Sequence, residues 1–586
     1  MADYTRLLRV ARGEEPADLV VRNGRLVNVL TREIYPATVG ICEDVIAYVT
    51  APDDDHCAGR EVVDATGKWL VPGLIDSHMH IESSHVTPAR FADAVLPLGV
   101  TTVAQDPHEM ANVLGVAGVD YMREASRNLP LRVLTFVPTC VPAVPGLETS
   151  GASFTVTEVG QLLDDPDTIG LAEVMDYWGV ARQSPRITEI VKLGRERGAI
   201  LTGHARFGED RNLNAYLAAG IESDHGRMPP ERLLARARLG MVVEVCCAPD
   251  RDNIPEIVEV WREHGLLHNV IFVTDDIPPG DLLTHGHLDQ GVRRAIALGM
   301  DPVDAIRAAT AGPARRLRRN RGAPGESLGA IAPGYLADLL VLDDLSTFSV
   351  HLTVASGRIV ARDGEMVTAS HESIAPPPSA LSSFHLPTLQ ADDFAVRGPG
   401  ETVRARVIAD RGKGLDVRTV PVVEGTVDWQ SDPDLALVSV WHRHGHNDNH
   451  AFALIVGTGL RTGALATTYA HDSHNLVIIG RNTTDMATAA NALRSSGGGY
   501  VVVSGGEVLG QVALPVAGLL SQLSVPEVAG EFASYVAAAN AVGIVENPIR
   551  LVTSLPLPVV PNFRPTDLGL VDVSRQTFVP AFEFSR

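Results

Sequence analysis

His78-Met79-His80 offers two imidazoles two residues apart, at the end of the apolar run Leu70-Val71-Pro72-Gly73-Leu74-Ile75-Asp76. If that run is a β-strand, alternate side chains point the same way, and both rings can grip one metal ion. Neutral imidazole suits zinc, iron or manganese. With 20 His in 586 residues, about one His-x-His pair is expected by chance. The chain holds others, at His285-Gly286-His287 and at His442, His444 and His446. What separates the first pair is its company. Four further apolar runs end in a possible ligand: Gly170-Leu171-Ala172-Glu173, Leu201-Thr202-Gly203-His204, Glu222-Ser223-Asp224-His225 and Val273-Thr274-Asp275-Asp276. Any one alone reads as an ordinary loop residue. Together His78, His80, Glu173, His204, His225 and Asp275 suffice for two divalent cations, which would generate a hydroxide near neutral pH and polarise the bond under attack. The stretch Gln105-Asp106-Pro107-His108-Glu109 puts Asp106 and His108 in a loop as acid/base or polarising groups, or leaves Asp106 as a simple helix cap. Glu82, Ser83 and Ser84 follow the first pair closely enough to line a ligand pocket, or to cap the next helix.

Such residues need a scaffold that brings strand ends together. Residues 68–329 alternate apolar strand-like runs, near 70–77, 100–105, 131–137, 169–174, 199–203, 220–224, 241–246 and 270–275, with amphipathic stretches such as Met110–Arg127, Ile187–Arg197 and Pro230–Arg238. Eight βα units of this kind predict a parallel (β/α)8 TIM barrel, whose active site lies at the carboxyl ends of its strands. A doubly wound sheet is the rival, but no Gly-x-Gly-x-x-Gly follows a strand. Short β-type runs flank the barrel at 1–67 and 330–370, a pattern that predicts a small composite β-sandwich built from both ends with the barrel inserted. Residues 371–393, rich in Pro and Ser, read as a linker. Residues 394–586 resume α/β texture as a C-terminal domain.

Composition narrows the function further. At 45% hydrophobic and 20% charged the chain is an ordinary globular protein. No apolar run reaches the roughly 18 residues of a membrane span, and the first 15 residues lack the apolar core of a signal peptide. The cytoplasm is therefore the expected location, with no membrane partner. A net charge of -22 repels phosphate backbones, which argues against nucleic acid and for a small-molecule substrate. Five cysteines without Cys-x-x-Cys spacing argue against disulfides and thiolate zinc sites, and Cys246-Cys247, in an apolar run, reads as a buried pair.

Several of these segments resemble the bacterial adenine deaminase family of the amidohydrolase superfamily. The resemblance is carried by Val71 through Ser84, Thr101 through Gly115, Gly170 through Met175, Leu213-Asn214-Ala215-Tyr216, Thr274-Asp275-Asp276 and Pro333 through Leu339. In the C-terminal domain it is carried by Ala470-His471-Asp472-Ser473-His474-Asn475 and Gly497-Gly498-Gly499. It implies the same sandwich, barrel and C-terminal domain. It also implies that His78, His80 and Asp275 hold one metal, that His204 and His225 hold the other, and that Glu173 bridges them. Asp275 would shuttle a proton, and Asp106 and His108 would serve catalysis beside the substrate; Glu82, Ser84, Arg206 and Asp276 are read here as the residues that meet it. The implied reaction is hydrolysis of adenine to hypoxanthine and ammonia, in purine salvage, with two divalent ions (manganese or iron, zinc being the third candidate) in a homo-oligomer. Two departures stand out. The family's Ala-Pro-Gly after the fifth-strand histidine is Ala205-Arg206-Phe207 here, and the Glu after the sixth-strand histidine is Gly226. They keep open a deaminase or cyclic-amide hydrolase acting on another heterocycle; a non-catalytic metal-binding scaffold is the alternative of a different class. The cluster His442, His444 and His446 reads as a solvated, incidental group rather than a third metal site.

Overall fold

The computed structural model describes every residue except 1–2, 53, 55–56, 372–373, 410–411, 413 and 585–586. Strands from both ends of the sequence join one nine-stranded sheet, in which Trp69–Pro72 runs antiparallel to Leu339–Asp344. Hydrogen bonding is continuous through all nine, so the expected composite sandwich is built from one curled sheet. At its far edge, Ile46 bonds Tyr335 and Gly334, which lead straight into Leu339–Asp344. The curl encloses a core that includes Val21, Leu26, Val39, Ile41, Leu339 and Val354.

The strand predicted over 70–77 is two strands. Trp69–Pro72 belongs to the curled sheet, and Leu74–Met79 is the first strand of the barrel. Gly73 makes the switch in one residue: its N–H donates to Asp338 O (3.0 Å), and a Cβ there would lie 2.2 Å from Thr101 Oγ1. The other seven barrel strands are Val100–Gln105, Arg132–Val137, Thr168–Val174, Ile200–Gly203, Ser223–His225, Val242–Cys246 and Val270–Val273. The first five form one parallel sheet and the last three another. The ring closes at both joints, through Glu222 N–H to Leu201 O (2.9 Å) and Asp275 N–H to His78 O (3.1 Å). The expected helix over Met110–Arg127 is broken at Gly115 into His108–Leu114 and Val116–Ser126. Pro230–Arg238 has the predicted bounds.

The C-terminal domain is a ten-stranded mixed sheet backed by Thr483–Ser496 and Val525–Ala541, with a small three-stranded sheet, Phe563–Thr566, Gly569–Asp572 and Thr577–Val579, beside it. The Pro/Ser-rich stretch before it is anchored: Leu389 exchanges hydrogen bonds with the Asn491 side chain. All five cysteines are free thiols, with Cys246 and Cys247 both buried. Among the described residues no helix is long and apolar enough to cross a membrane.

Two register shifts fall beside predicted metal ligands. Between the fourth and fifth barrel strands, Leu171 and Val174 pair with Leu201 and Gly203, so the fourth strand carries one extra residue around Glu173. Between the first and second, Asp76 and Met79 pair with Val103 and Gln105, so an extra residue falls beside His78. Bulges of this kind bend a strand and re-aim its side chains. Gly170, at the start of the first shift, has no room for a side chain, since a Cβ would lie 2.1 Å from Ile200 O. Gly170→Ala is therefore expected to pry the fourth strand from the fifth, lowering the thermal midpoint by an amount matching about 1–3 kcal/mol of overpacking. An unchanged midpoint with unchanged metal binding would show that the close approach carries no weight.

Candidate metal centre

The six predicted ligands converge at the carboxyl end of the barrel, every one of them buried. Glu173 stands in the middle. Its Oε1 lies 3.0 Å from His78 Nε2 and 3.2 Å from His80 Nε2. Its Oε2 lies 2.7 Å from His204 Nδ1 and 3.8 Å from His225 Nε2. Asp275 Oδ1 is 3.3 Å from His80 Nε2, and its Oδ2 is 3.7 Å from His225 Nε2. Two ligand sets compact enough for one cation each thus share a single carboxylate: His78, His80, Glu173 and Asp275, and Glu173, His204 and His225.

Electrostatics favour cation binding. Burial pushes the Glu173 carboxyl up, yet the imidazoles packed around it, with hydrogen bonds from His204 and His78, hold it well below the usual carboxylate range. Burial likewise raises Asp275, and above all the Arg251 guanidinium, with a hydrogen bond from His80, overcomes it, leaving the group ionised. For His225, burial dominates and takes the imidazole down to about 3, so it is neutral. Neither of its ring nitrogens finds a hydrogen-bond partner among the described residues. A neutral, dry, unpartnered imidazole beside two carboxylates is what a divalent cation requires, and the donor set fits such ions.

Groups behind the ligands fix their orientation. His80 Nδ1–H donates to the Asp106 carbonyl (2.9 Å), which leaves Nε2 free to face Glu173. His78 Nδ1–H points at Glu244 Oε2 (3.1 Å), a carboxylate–histidine arrangement that sets the tautomer and raises ligand basicity. The sequence reading missed Glu244. It is the only charged residue in the seventh strand, Val242–Cys246, and that isolation was the available signal. Arg316 Nε, 3.6 Å away, answers its charge. Arg251, also missed, pairs with both Asp275 and Asp276; it lies after the seventh strand in a loop that no motif marks.

Asp106 and His108 stand next to the ligands. His108 Nδ1 bonds Asp106 Oδ2 (2.9 Å), and its ring lies 4.7 Å from that of His80. Burial lowers His108, but Cys140, Asp106 and Glu109 hold it well above its ordinary value, so the ring carries a proton. The capping alternative for Asp106 fails: the helix beginning at His108 has no side-chain cap. Glu82 is buried, takes a hydrogen bond from Met110 N–H (3.3 Å) and has a second oxygen without a partner among the described residues. Ser84 is turned inward on its own backbone, donating to Ile81 O (2.6 Å). Arg206 is exposed, and its guanidinium lies over Gly226, where a Cβ would be 3.1 Å from Nη1.

The C-terminal domain reaches this centre through the loop 468–475. Glu109, fully buried, takes His471 Nδ1–H at 2.8 Å, the Tyr469 hydroxyl at 3.3 Å and His474 Nε2–H. Asp472 brings Oδ1 to 3.9 Å from His108 Nε2. The histidine cluster is not solvated at its core: His442 and His444 are buried. His444 Nε2–H donates to Ser473 O (2.9 Å) beside Asp472. His442 Nδ1 meets Thr149 Oγ1 (3.0 Å) and His446 Nε2–H donates to Gly151 O (2.8 Å), so His442 and His446 clamp loop 149–151 of the barrel to the C-terminal domain.

Residues 69–360 match the Amidohydrolase family and residues 414–577 match the Adenine deaminase C-terminal domain. The chain is 41% identical to an adenine deaminase of Klebsiella pneumoniae subsp. pneumoniae, over 98% of this chain and 95% of that one. It is 40% identical to an adenine deaminase of Moorella thermoacetica (98% and 97% covered) and 38% identical to one of Methanothrix thermoacetophila (98% and 99%). The chain belongs to the adenine deaminase family. The amidohydrolase match takes in both the barrel and the returning strands of the curled sheet, and the adenine deaminase C-terminal match contains the loop that grips Glu109. The two departures from the adenine deaminase pattern, Arg206 and Gly226, prove to be packed against each other, outside the ligand set. Glu244→Gln keeps shape but weakens the hold on His78, and is expected to reduce divalent-cation affinity roughly 10–100-fold in a metal titration. A titration that matches wild type would show that Glu244 does not orient His78.

Proposed function

We propose that this protein hydrolyses adenine to hypoxanthine and ammonia, with His78, His80 and Asp275 holding one divalent cation, His204 and His225 a second, and Glu173 shared between them. The observation that carries the reading is the division of Glu173, one oxygen toward His78 and His80 and the other toward His204 and His225. Cations held there would lower the pKa of the attacking water and polarise the ring it attacks. The protein's own groups do the rest. Asp275, kept ionised by Arg251, accepts a proton from the water that adds to C6 and passes it to the departing amino group. His108, protonated and steered through Nδ1 by Asp106, presents its Nε2–H to a nitrogen of the substrate and offsets the negative charge that builds on the ring. Glu82 and Asp276 each keep one carboxylate oxygen without a partner among the described residues, free to accept from the donors of a ligand. The near-total burial of Asp275, Asp106, His108 and Glu82 excludes bulk water and strengthens the interactions they make.

The case for another heterocycle rested on Arg206 and Gly226. Their mutual packing and the exposure of Arg206 remove that support.

The purified chain loaded with manganese or iron is expected to release one ammonia per adenine consumed, to lose that activity on chelation, and to regain it on metal return. Glu173→Gln should abolish turnover, because one shared ligand is lost to both ions. Full metal occupancy without ammonia release from adenine, or wild-type turnover by the Gln variant, would refute the assignment.

A further inference from the structure

Most of the acidic groups around the metal centre have their charge answered. Glu109 is saturated by His471, Tyr469 and His474. Asp276 is paired with Arg251, and Asp106 with His108, although each keeps one oxygen without a hydrogen-bond partner among the described residues. Asp472 lacks a close cationic partner on either oxygen. It is 1% exposed, and its Oδ2 has no hydrogen-bond partner among the described residues. The nearest cationic groups to its other oxygen, His471 Nδ1 at 3.7 Å and His108 Nε2 at 3.9 Å, stand beyond hydrogen-bond reach. A buried carboxylate oxygen left this way costs free energy unless a ligand supplies a donor.

The loop that carries Asp472 is fixed from three sides. The fully buried Arg443 donates from Nε to His474 O (2.6 Å), His444 donates to Ser473 O (2.9 Å), and Asn475 donates to Thr149 O (2.8 Å). Two of these bonds fall on the residues directly following Asp472. These bonds hold the backbone beside Asp472 in place.

We propose that Asp472, supplied by the C-terminal domain, binds substrate by accepting the imidazole-ring N–H of a free purine base, and so makes the site selective for adenine over its N-substituted forms. The inference rests on adenine as substrate, and adenine's chemistry decides which atom is met. Adenine has only two kinds of N–H, the exocyclic amine and the imidazole-ring N–H; N1 and N3 are acceptors. The amine must lie at C6 beside Glu173 and Asp275, where it departs. Asp472 touches neither of these: His108, which shares a compact group with His80 and Glu173, stands between. The N–H left for the far acceptor is the one on the five-membered ring, which a nucleoside or a ring-methylated base lacks. Burial pushes the Asp472 carboxyl up to about 7, against the opposing pull of His108.

Steady-state kinetics of the metal-loaded enzyme with adenine, 7-methyladenine and 9-methyladenine test this. Wild type is expected to prefer adenine by at least about 100-fold in kcat/KM, since a site built to bond an N–H rejects an analogue lacking it. Asp472→Asn should raise KM for adenine at least about tenfold and shrink that preference to within about tenfold, with metal content and thermal midpoint unchanged. Asp472→Ala, which also opens space, should improve 9-methyladenine relative to adenine. Wild type that turns over both methyladenines as well as adenine overturns the proposal without any variant. So does a folded Asp472→Asn that loses all three substrates in equal proportion, the mark of a merely structural residue. No turnover of adenine by wild type overturns the substrate reading and this inference together, whereas turnover with unaltered discrimination in the variants overturns this inference alone.

Discussion

A carboxylate surrounded by four imidazoles, out of reach of water, is the constraint to which the rest of the molecule answers. Stripping Glu173 and Asp275 of solvent costs roughly several kcal/mol per charge. The protein meets that cost in layers. Arg251 faces Asp275, Glu244 faces His78, and Arg316 faces Glu244, so that charge of one sign alternates with the other outward from the centre. The layering is specific to a cluster meant to hold cations. His78 and His80 are each oriented by a group on the side away from the carboxylates, and neither depends on solvent to keep its tautomer.

The same logic joins the two large parts of the chain. Glu109 follows His108 on the barrel side, and the hydrogen bonds that answer its charge come from residues of the C-terminal loop. A buried carboxylate stripped of those donors would be ruinous in an isolated barrel. The C-terminal domain is thus part of the electrostatic balance of the centre, and loop 149–151, clamped by His442 and His446, seals the same seam from the other edge.

How much of this was legible in the amino-acid string depends on what periodicity can express. His78, His80, Glu173, His204, His225 and Asp275 were visible because each closes an apolar run, and a parallel barrel brings strand ends together whatever the loop details. The turn of Glu173 into the centre was not visible. It depends on one extra residue in the fourth strand, and a bulge leaves no compositional mark. The switch at Gly73 escaped for a related reason: Leu70 to Asp76 is one apolar run, yet two sheets divide it. Glu244 and Arg251 lay outside any motif, and their importance comes from partners more than 20 positions away. Glu109 and Asp472 were both inside quoted motifs, but that they belong to one site is a property of domain packing, which no local pattern encodes.

The pairing of Arg206 with Gly226 makes the two positions unequal. Gly226 sits at φ +120°, a conformation that side-chain-bearing residues rarely adopt, and a Cβ there would lie 3.1 Å from the guanidinium. A change at 206 leaves the glycine undisturbed, whereas a side chain at 226 must both strain the backbone and move the exposed arginine aside. Tolerance to substitution is therefore set at 226 by the backbone and at 206 by solvent, although the two residues touch.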